Sequence, residues 1–404
     1  MKFDPRKALL GTTAIVGASL LAAGPAAAKP EVNIGGSMDF QVGWTSQDHE
    51  GWTPTPGGVQ GPPTERGYGF FQRTLLNVTA TDKTDSGMKW AFKLNLNADA
   101  DGGPGASNGL KDGTARDAAD KVTLDLSDAW GSVSLGADYG VFRTLSFGSK
   151  DATKSAGAGG VDGPWARWFN NKSIGSSRFE SSTTVRDSTT STRINYVTPR
   201  VMGFQGGITY APDRNSIGRF RSPEANVTTT ATNSNSTLEQ NWWAGAVNYV
   251  NKFGDFDVGL SAAAAEAANS NDLQKNTHSY DYAFIVGYGA WKVGGRYSMK
   301  PSSLDVASTD TNHDYNSYDL GVGYTTGPWS LGLSYKREES GIINATGSDT
   351  NDVWSFGTTY DMGAGLQLYG DLFHVKATNG AAGGALTGSK NDGTGLITGV
   401  RVKF

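Results

Sequence analysis

Long segments in which apolar and polar residues alternate are the feature that most limits what this chain can fold into. The clearest runs from 88 to 98, where Lys89 and Lys93 fall between apolar neighbours. A period of two puts apolar side chains on one face of a β-strand and polar side chains on the other. Strands of soluble proteins average about 5–6 residues, whereas a tilted strand that crosses a membrane needs about 9–11. The segment therefore predicts a membrane-spanning strand.

The alternating pattern recurs to the end of the chain and predicts sixteen strands, counting a less regular segment at 70–80. Short turns are predicted at 82–87, 127–131, 199–203, 251–255, 289–290, 326–328 and 361–365. Long polar loops lie between them, at 46–67, 99–120, 140–190, 211–239, 265–277, 300–316, 336–352 and 377–393. This alternation favours an all-β, sixteen-stranded antiparallel transmembrane barrel with short periplasmic turns and long extracellular loops.

Composition supports a barrel and excludes several classes of function. Hydrophobic residues are 37% of the chain and charged residues 18%, with 55 glycines. A barrel needs apolar residues on only one face of each strand. The formal net charge of −4 lacks the basic excess of a nucleic-acid-binding protein. Because the chain has no cysteine, thiol catalysis, cysteine-based zinc sites and disulfide bonds are excluded. We expect no cofactor.

The first 28 residues have the organisation of a secretory signal peptide. Lys2, Arg6 and Lys7 precede a small apolar run at 8–24, and alanines at 26–28 form an A-x-A cleavage site. A membrane anchor is the alternative, but the run is short for a span of about 20 residues. We therefore expect a signal peptide at 1–28 and one barrel domain at 29–404.

Several short motifs resemble those of the Gram-negative general porins, which are sixteen-stranded and trimeric. The resemblance lies in 32–36, 71–74, 87–90, 134–136, 366–370 and the closing segment 399–404, which ends in Phe404. In that family the third extracellular loop folds into the lumen and narrows it, and a terminal Phe is read by the assembly machinery. The resemblance implies that the residues after Tyr139 form this third loop.

Charged residues between the apolar positions of the strands are candidates for lining a pore. The wider set is Asp39, Arg73, Lys89, Lys93, Arg193, Asp281, Arg296, Asp319, Asp371, Arg401 and Lys403. The predicted constriction consists of Lys89, Lys93, Arg73 and Arg193 on strands, opposite Asp151 and Asp162 in the long loop. Opposed charges of this kind discriminate between ions. The alternative is that they are solvated lumen residues outside the narrowest zone.

Three other patterns have a functional and a simpler interpretation. An aromatic cluster in the long loop could bind solutes, although packing against the barrel wall is favoured; it consists of Trp165, Arg167, Trp168 and Phe169. Asn97, Asp99 and Asp101 match half of a calcium loop but lack its final Glu, so an acidic loop is favoured over a metal site. His374 is the one histidine placed for catalysis, and nothing marks a nucleophile.

The sequence therefore predicts a pore in the cell outer membrane for passive diffusion of small hydrophilic solutes and ions, and no enzyme. The expected partners are outer-membrane lipid and lipopolysaccharide, those solutes, and two further copies in a homotrimer, with no nucleic acid. A substrate-specific channel with a saturable site is the main alternative. A plugged structural barrel is less favoured, since barrels of about 16–18 strands leave a water-filled channel. A secreted soluble β-sandwich is a further alternative, which predicts recovery of the protein without detergent.

Overall fold

The computed structural model describes residues 30–50, 67–98, 119–154, 156–162, 164–169, 190–213, 239–269, 276–301, 314–341, 348–378, 380 and 390–404. The predicted signal peptide at 1–28 lies outside this part of the chain, and so does residue 29. No helix among the described residues is long and apolar enough to cross a membrane.

Sixteen antiparallel strands form one closed barrel, which confirms the predicted fold class. They are β1 Glu31–Glu50, β2 Tyr68–Lys83, β3 Lys89–Asn97, β4 Ala119–Asp128, β5 Gly131–Asp138, β6 Ser191–Val197, β7 Phe204–Asp213, β8 Glu239–Phe253, β9 Phe256–Asn269, β10 Thr277–Tyr288, β11 Trp291–Lys300, β12 Tyr315–Thr326, β13 Trp329–Gly341, β14 Ser348–Gly363, β15 Leu366–Thr378 and β16 Lys390–Lys403. Each strand pairs with its sequence neighbours, and β1 closes the barrel against β16.

The alternation read from the sequence becomes an apolar outer face and a polar inner face. Large apolar side chains on the outer face are about half exposed, as with Leu333, Leu372 and Leu260. Without lipid such exposure would be costly. Aromatic pairs join neighbouring strands near both ends of the barrel. The ring centroids of Trp329 and Tyr360 lie 4.7 Å apart at the turn end, and those of Tyr335 and Trp354 lie 4.5 Å apart toward the loop end. Rings at these levels match the two interfaces of a bilayer.

Connections are short at one end of the barrel and mostly long at the other, as predicted. The loop predicted at 336–352 is the exception, because β13 and β14 extend into it and leave only 342–347 as a connection. The turn between β10 and β11 has only Gly289 and Ala290, and Gly289 has a φ of 55°. A positive φ at the first central position suits the twist of a two-residue hairpin, and glycine adopts it without strain. The longest connection follows β5. Its described part contains helix α1 (Val141–Thr144), helix α2 (Ser149–Thr153) and a 3-10 turn (Pro164–Arg167).

Candidate pore and inner loop

The connection after β5 folds back inside the barrel; we call its described residues, 139–154, 156–162 and 164–169, the inner loop. Helix α1 packs against β6–β9, and α2 packs against β10–β13. Further along, Ala158 N–H donates to Asp371 on β15 at 3.2 Å. Trp168 then lies against the inward side of Gly43 on β1. The loop thus follows the inner wall from β6 round to β1, as the resemblance implied for a third loop.

Buried charges on the barrel wall hold the middle of the inner loop; we call Asp281, Arg296 and Asp319 the loop clamp. Arg296 Nε lies 3.2 Å from Asp281 Oδ2, and both side chains are fully buried. The Arg296 guanidinium donates to the carbonyl of Phe147. Ser149 N–H donates to Asp319 Oδ1 at 2.7 Å. A buried charge is tolerated when it is paired and hydrogen-bonded, and here the partners include loop backbone.

Inward-facing glycines on β11–β14 let the loop backbone from Gly148, just before α2, to Gly157 approach the wall. A Cβ on Gly294 would lie 2.6 Å from the Gly148 carbonyl oxygen, and one on Gly321 would lie 2.9 Å from Ser149. A Cβ on Gly357 would lie 3.0 Å from the backbone of Gly157. These distances are shorter than van der Waals contact, so a larger residue would have to displace the loop.

The aromatic cluster predicted in the loop packs against the wall. Trp165 is 1% exposed and Phe169 is 4% exposed, in a cluster with Phe373 and Ile397 from β15 and β16. Trp165 Nε1 donates to the Val161 carbonyl at 3.1 Å, which satisfies its polar group. This burial supports the packing interpretation over a solute-binding strip.

A cavity of about 840 Å³ remains between the inner loop and the opposite side of the barrel. Side chains of β2–β6 and the first residues of the loop line it, among them Lys89, Lys93, Asp125, Asp138 and Tyr139. The described loop residues cover the wall from β6 to β1, and this cavity lies on the side of the lumen that they leave accessible to water. We call the inner face of β2–β5 the open wall and the inner face of β9–β15 the covered wall.

Charges on the open wall form pairs that remain accessible to water. Lys93 Nζ lies 2.7 Å from Asp125 Oδ2, and the Lys93 side chain is 53% exposed. Lys121 Nζ lies 2.5 Å from Asp138 Oδ1. The Tyr139 ring has Lys121 Nζ at 3.9 Å from its centroid and Arg143 Cζ at 4.0 Å. A ring of this kind can hold two cations close together by cation–π attraction.

The six predicted constriction residues fall in three places. Lys89 and Lys93 line the cavity together. Arg73 also faces inward, directly across from Asp39 on β1. Asp39 is held by Arg401, whose Nη2 lies 3.0 Å from Asp39 Oδ2. The strand residues of the prediction therefore gather on β2 and β3, with Arg193 as the exception.

Arg193 lies under the start of the inner loop and is only 2% exposed. Its Nη2 donates to Ser191 Oγ at 2.7 Å, and its guanidinium lies 5.1 Å from the Trp242 ring centroid. Because its side chain is packed rather than solvated, we leave Arg193 out of the proposed pore lining.

The two predicted loop carboxylates, Asp151 and Asp162, both interact electrostatically with Lys150 in the inner loop. Burial lowers the pKa of Lys150, and the Asp162 carboxylate is the main charge opposing that shift. Burial likewise raises the pKa of Asp151, against the opposing charges of Lys150 and Arg296. The loop therefore presents both signs of charge.

The two remaining motifs, the half calcium loop and His374, form no metal or catalytic site among the described residues. Asp99 and Asp101 lie outside them, and Asn97 ends β3. No group of three or more His, Asp or Glu within the described ranges could hold a metal ion. His374 is on the outer face, where Nδ1 lies 3.1 Å from Thr394 Oγ1.

Sequence reasoning missed Lys121, Asp125, Tyr139 and Arg143. The alternation in β4 could have found Lys121 and Asp125, because Val122, Leu124 and Leu126 between and beside them form the apolar face of that strand. Nothing in the sequence pattern pointed to the stacking of Lys121 and Arg143 on Tyr139.

Comparison with known proteins gives one family and several structures. A family model described as "Gram-negative porin" matches residues 11–380. Among curated proteins, no match was found.

Three solved structures of similar fold are each matched over 93% of this chain and 100% of their own. The anion-selective porin from Comamonas acidovorans has 19% sequence identity to this chain and a TM-score of 0.56. The trimer form of OmpT from Vibrio cholerae has 11% identity and a TM-score of 0.55. A porin refined at 1.8 Å resolution has 16% identity and a TM-score of 0.52. At these identities the likeness shows the fold.

Proposed function

The chain belongs to the Gram-negative porin family and forms a diffusion pore in the outer membrane, and from this premise we propose how solutes cross it. Small hydrophilic solutes and ions pass along the open wall, between β2–β5 and the inner loop. The observation that carries this proposal is the cavity of about 840 Å³ on that side, opposite the wall covered by the loop. We propose a channel role without catalysis.

We further propose that the pore prefers anions. Five basic side chains face inward on β2–β4: Arg73, Lys83, Lys89, Lys93 and Lys121. They stand against Asp125 and Asp138 on β4 and β5, and against Glu31 and Asp82, which also line the cavity near the turn end. An excess of one sign along a narrow aqueous path raises the local concentration of the opposite ion. The name of the Comamonas structure, an anion-selective porin, agrees with this direction.

Single-channel recording in a planar bilayer tests the proposal. With a tenfold KCl gradient, we expect a reversal potential of the sign produced by chloride permeation, and conductance proportional to bulk mobility for small salts. A reversal potential of the opposite sign would contradict the anion preference. Saturable block by one solute would favour the specific channel, and absence of conductance from folded protein would overturn the pore itself.

We also propose that the chain assembles as a homotrimer. The OmpT structure is described as a trimer form, and on this barrel Gln72 and Thr74 place polar groups on the outer face of β2, where Nε2 and Oγ1 lie 3.4 Å apart. Polar side chains are costly against lipid, and subunit contact would shield them. Unheated gel electrophoresis should show a trimer that Gln72→Arg dissociates; a monomeric unvaried protein would contradict the proposal.

A further inference from the structure

Two ion pairs of the open wall join neighbouring strands in the same sense around the barrel. Lys93 on β3 pairs with Asp125 on β4, and Lys121 on β4 pairs with Asp138 on β5. In each pair the ammonium group belongs to the earlier strand and the carboxylate to the strand that follows it. We call these four residues the paired row.

The strand register places the two pairs close together along the barrel. Lys93 lies opposite Thr123, which is two residues from Lys121 on the same inner face of β4. Two residues of a β-strand span about 7 Å. The pair of Lys121 therefore begins about one such step nearer the extracellular end than the pair of Lys93, so a small solute that leaves one pair can reach the other.

Both pairs are accessible to water, unlike the ion pairs of the covered wall. The side chains of Lys121 and Asp138 are 24% and 31% exposed, and both carboxylates of the paired row line the cavity. On the covered wall, Lys336 Nζ lies 2.8 Å from Glu338 Oε1, and both of these side chains are fully buried. Since an exposed ion pair is weak, a solute with suitable charges can open the pairs of the open wall, whereas the buried pair is out of its reach.

The charges of the solute decide whether opening a pair leaves a charged group without a partner. A simple anion between Lys93 and Asp125 would bind the ammonium group but separate the carboxylate from its cation. A simple cation would do the reverse. A zwitterion satisfies both groups, because its own carboxylate meets the lysine and its own ammonium group meets the aspartate. Hydrogen bonds between charged groups are stronger than those between neutral groups, so the paired row favours a zwitterion.

We propose that the paired row binds free amino acids, each of which carries one ammonium group and one carboxylate, and passes them along the pore. Lys93 and Lys121 bind the carboxylate of the solute, and Asp125 and Asp138 bind its ammonium group. Because both pairs have the same sense, an amino acid moves from one pair to the other without turning round. The inference rests on the proposed pore and names a class of solute that it favours. It is separate from the proposed anion preference, since a zwitterion has no net charge.

Swelling of proteoliposomes in isosmotic solute tests the proposal with alanine and lactamide as probes. These two molecules are isomers, and only alanine carries charged groups at neutral pH. The full chain is reconstituted, and the rate in protein-free vesicles is subtracted for each solute. We expect alanine to enter faster than lactamide, by a factor on the order of three.

Neutralising one member of a pair should remove the advantage of alanine. In Asp125→Asn and in Lys93→Gln, the ratio of alanine entry to lactamide entry should fall by about the same factor of three, because one charge of the zwitterion loses its partner. The matched control is Asp128→Asn, which removes an exposed carboxylate at the turn end of the same strand as Asp125 and should keep the ratio of the unvaried protein. Asp138→Asn, in the second pair, serves if one of the first two variants does not fold.

Three results would overturn the inference and leave the proposed pore intact. The first is equal entry of alanine and lactamide through a conducting, unvaried protein. The second is an unchanged ratio in folded Asp125→Asn and Lys93→Gln. The third is an equal fall of the ratio in Asp128→Asn, which would indicate an effect of net charge. Absence of both lactamide entry and KCl conductance would instead contradict the proposed function itself.

Discussion

The covered wall and the open wall use the same inward positions of the strands for different purposes. On the covered wall those positions carry glycine, serine and fully buried charges such as Arg296 and Asp281. On the open wall they carry long basic side chains, and Lys93 is 53% exposed beside its partner Asp125. The difference shows that inward orientation does not by itself make a residue part of the pore. Whether the inner loop lies over it decides whether a charge is structural or faces the solute.

The largest difference between the two walls should be in the free energy of unfolding that is lost when one charged side chain is removed from each wall. Arg296→Met leaves Asp281 and Asp319 buried without their cation, which should lower the free energy of unfolding by about 3–5 kcal/mol. Lys93→Met removes a water-accessible pair and should cost less than about 1 kcal/mol. Urea unfolding in lipid vesicles, followed by tryptophan fluorescence, measures both. Equal losses would remove the distinction between the walls.

Overpacking the covered wall should change the pore through the loop. Gly321→Leu places a side chain where Ser149 lies, since a Cβ there would be 2.9 Å away. We expect a loss of about 1–3 kcal/mol in unfolding free energy and an altered single-channel conductance. Gly287→Leu is the control, because its Cβ would meet Asp257 at an ordinary 3.6 Å. A normal conductance in Gly321→Leu would mean that the loop does not limit the pore.

Reversing charge on the open wall should change selectivity with little change in stability. Lys89→Glu with Lys93→Glu replaces two cations of the cavity lining and should shift the chloride-to-potassium permeability ratio several-fold toward potassium, on the order of fivefold. The reversal potential in a KCl gradient measures this. An unchanged ratio in a folded variant would place the ion path elsewhere.

The smallest expected effect comes from neutralising a carboxylate on the open wall. Asp125→Asn frees Lys93 from its partner at 2.7 Å and should raise the chloride preference by about twofold or less. Asp281→Asn, in the loop clamp, should lower stability while leaving the ratio close to that of the unvaried protein. If Asp281→Asn changes selectivity more than Asp125→Asn, the assignment of the two walls is reversed.

The barrel could be predicted from the sequence because its signals are local. A period of two, as at 88–98, indicates which face of a strand meets lipid, and the lengths of the connections indicate which end of the barrel carries the long loops. The apolar face of β4 also implies that Lys121 and Asp125 point inward, although the prediction did not name them. These properties depend on neighbours in the chain.

The division of the lumen could not be predicted in the same way. Asp281, Arg296 and Lys93 all look alike in sequence, as charges between apolar neighbours. What separates them is contact with a loop more than 100 residues away, as between Ser146 and Asp281. In the sequence, Gly321 appears only as an interruption of the strand pattern. In the structure its missing side chain makes room for Ser149 of α2. The sequence pattern predicts which residues face inward. The path of the inner loop determines which of them are buried under the loop and which line the pore.

The seam between β1 and β16 has a consequence for biosynthesis. Fourteen residue pairs join these strands, and Arg401 reaches Asp39 across 362 residues of chain. Since contacts this distant in sequence form slowly, the two edges stay unpaired until the last strand has been exported. Unpaired strand edges readily join those of other chains. The chain is therefore most prone to aggregate during its passage through the periplasm, before the seam closes.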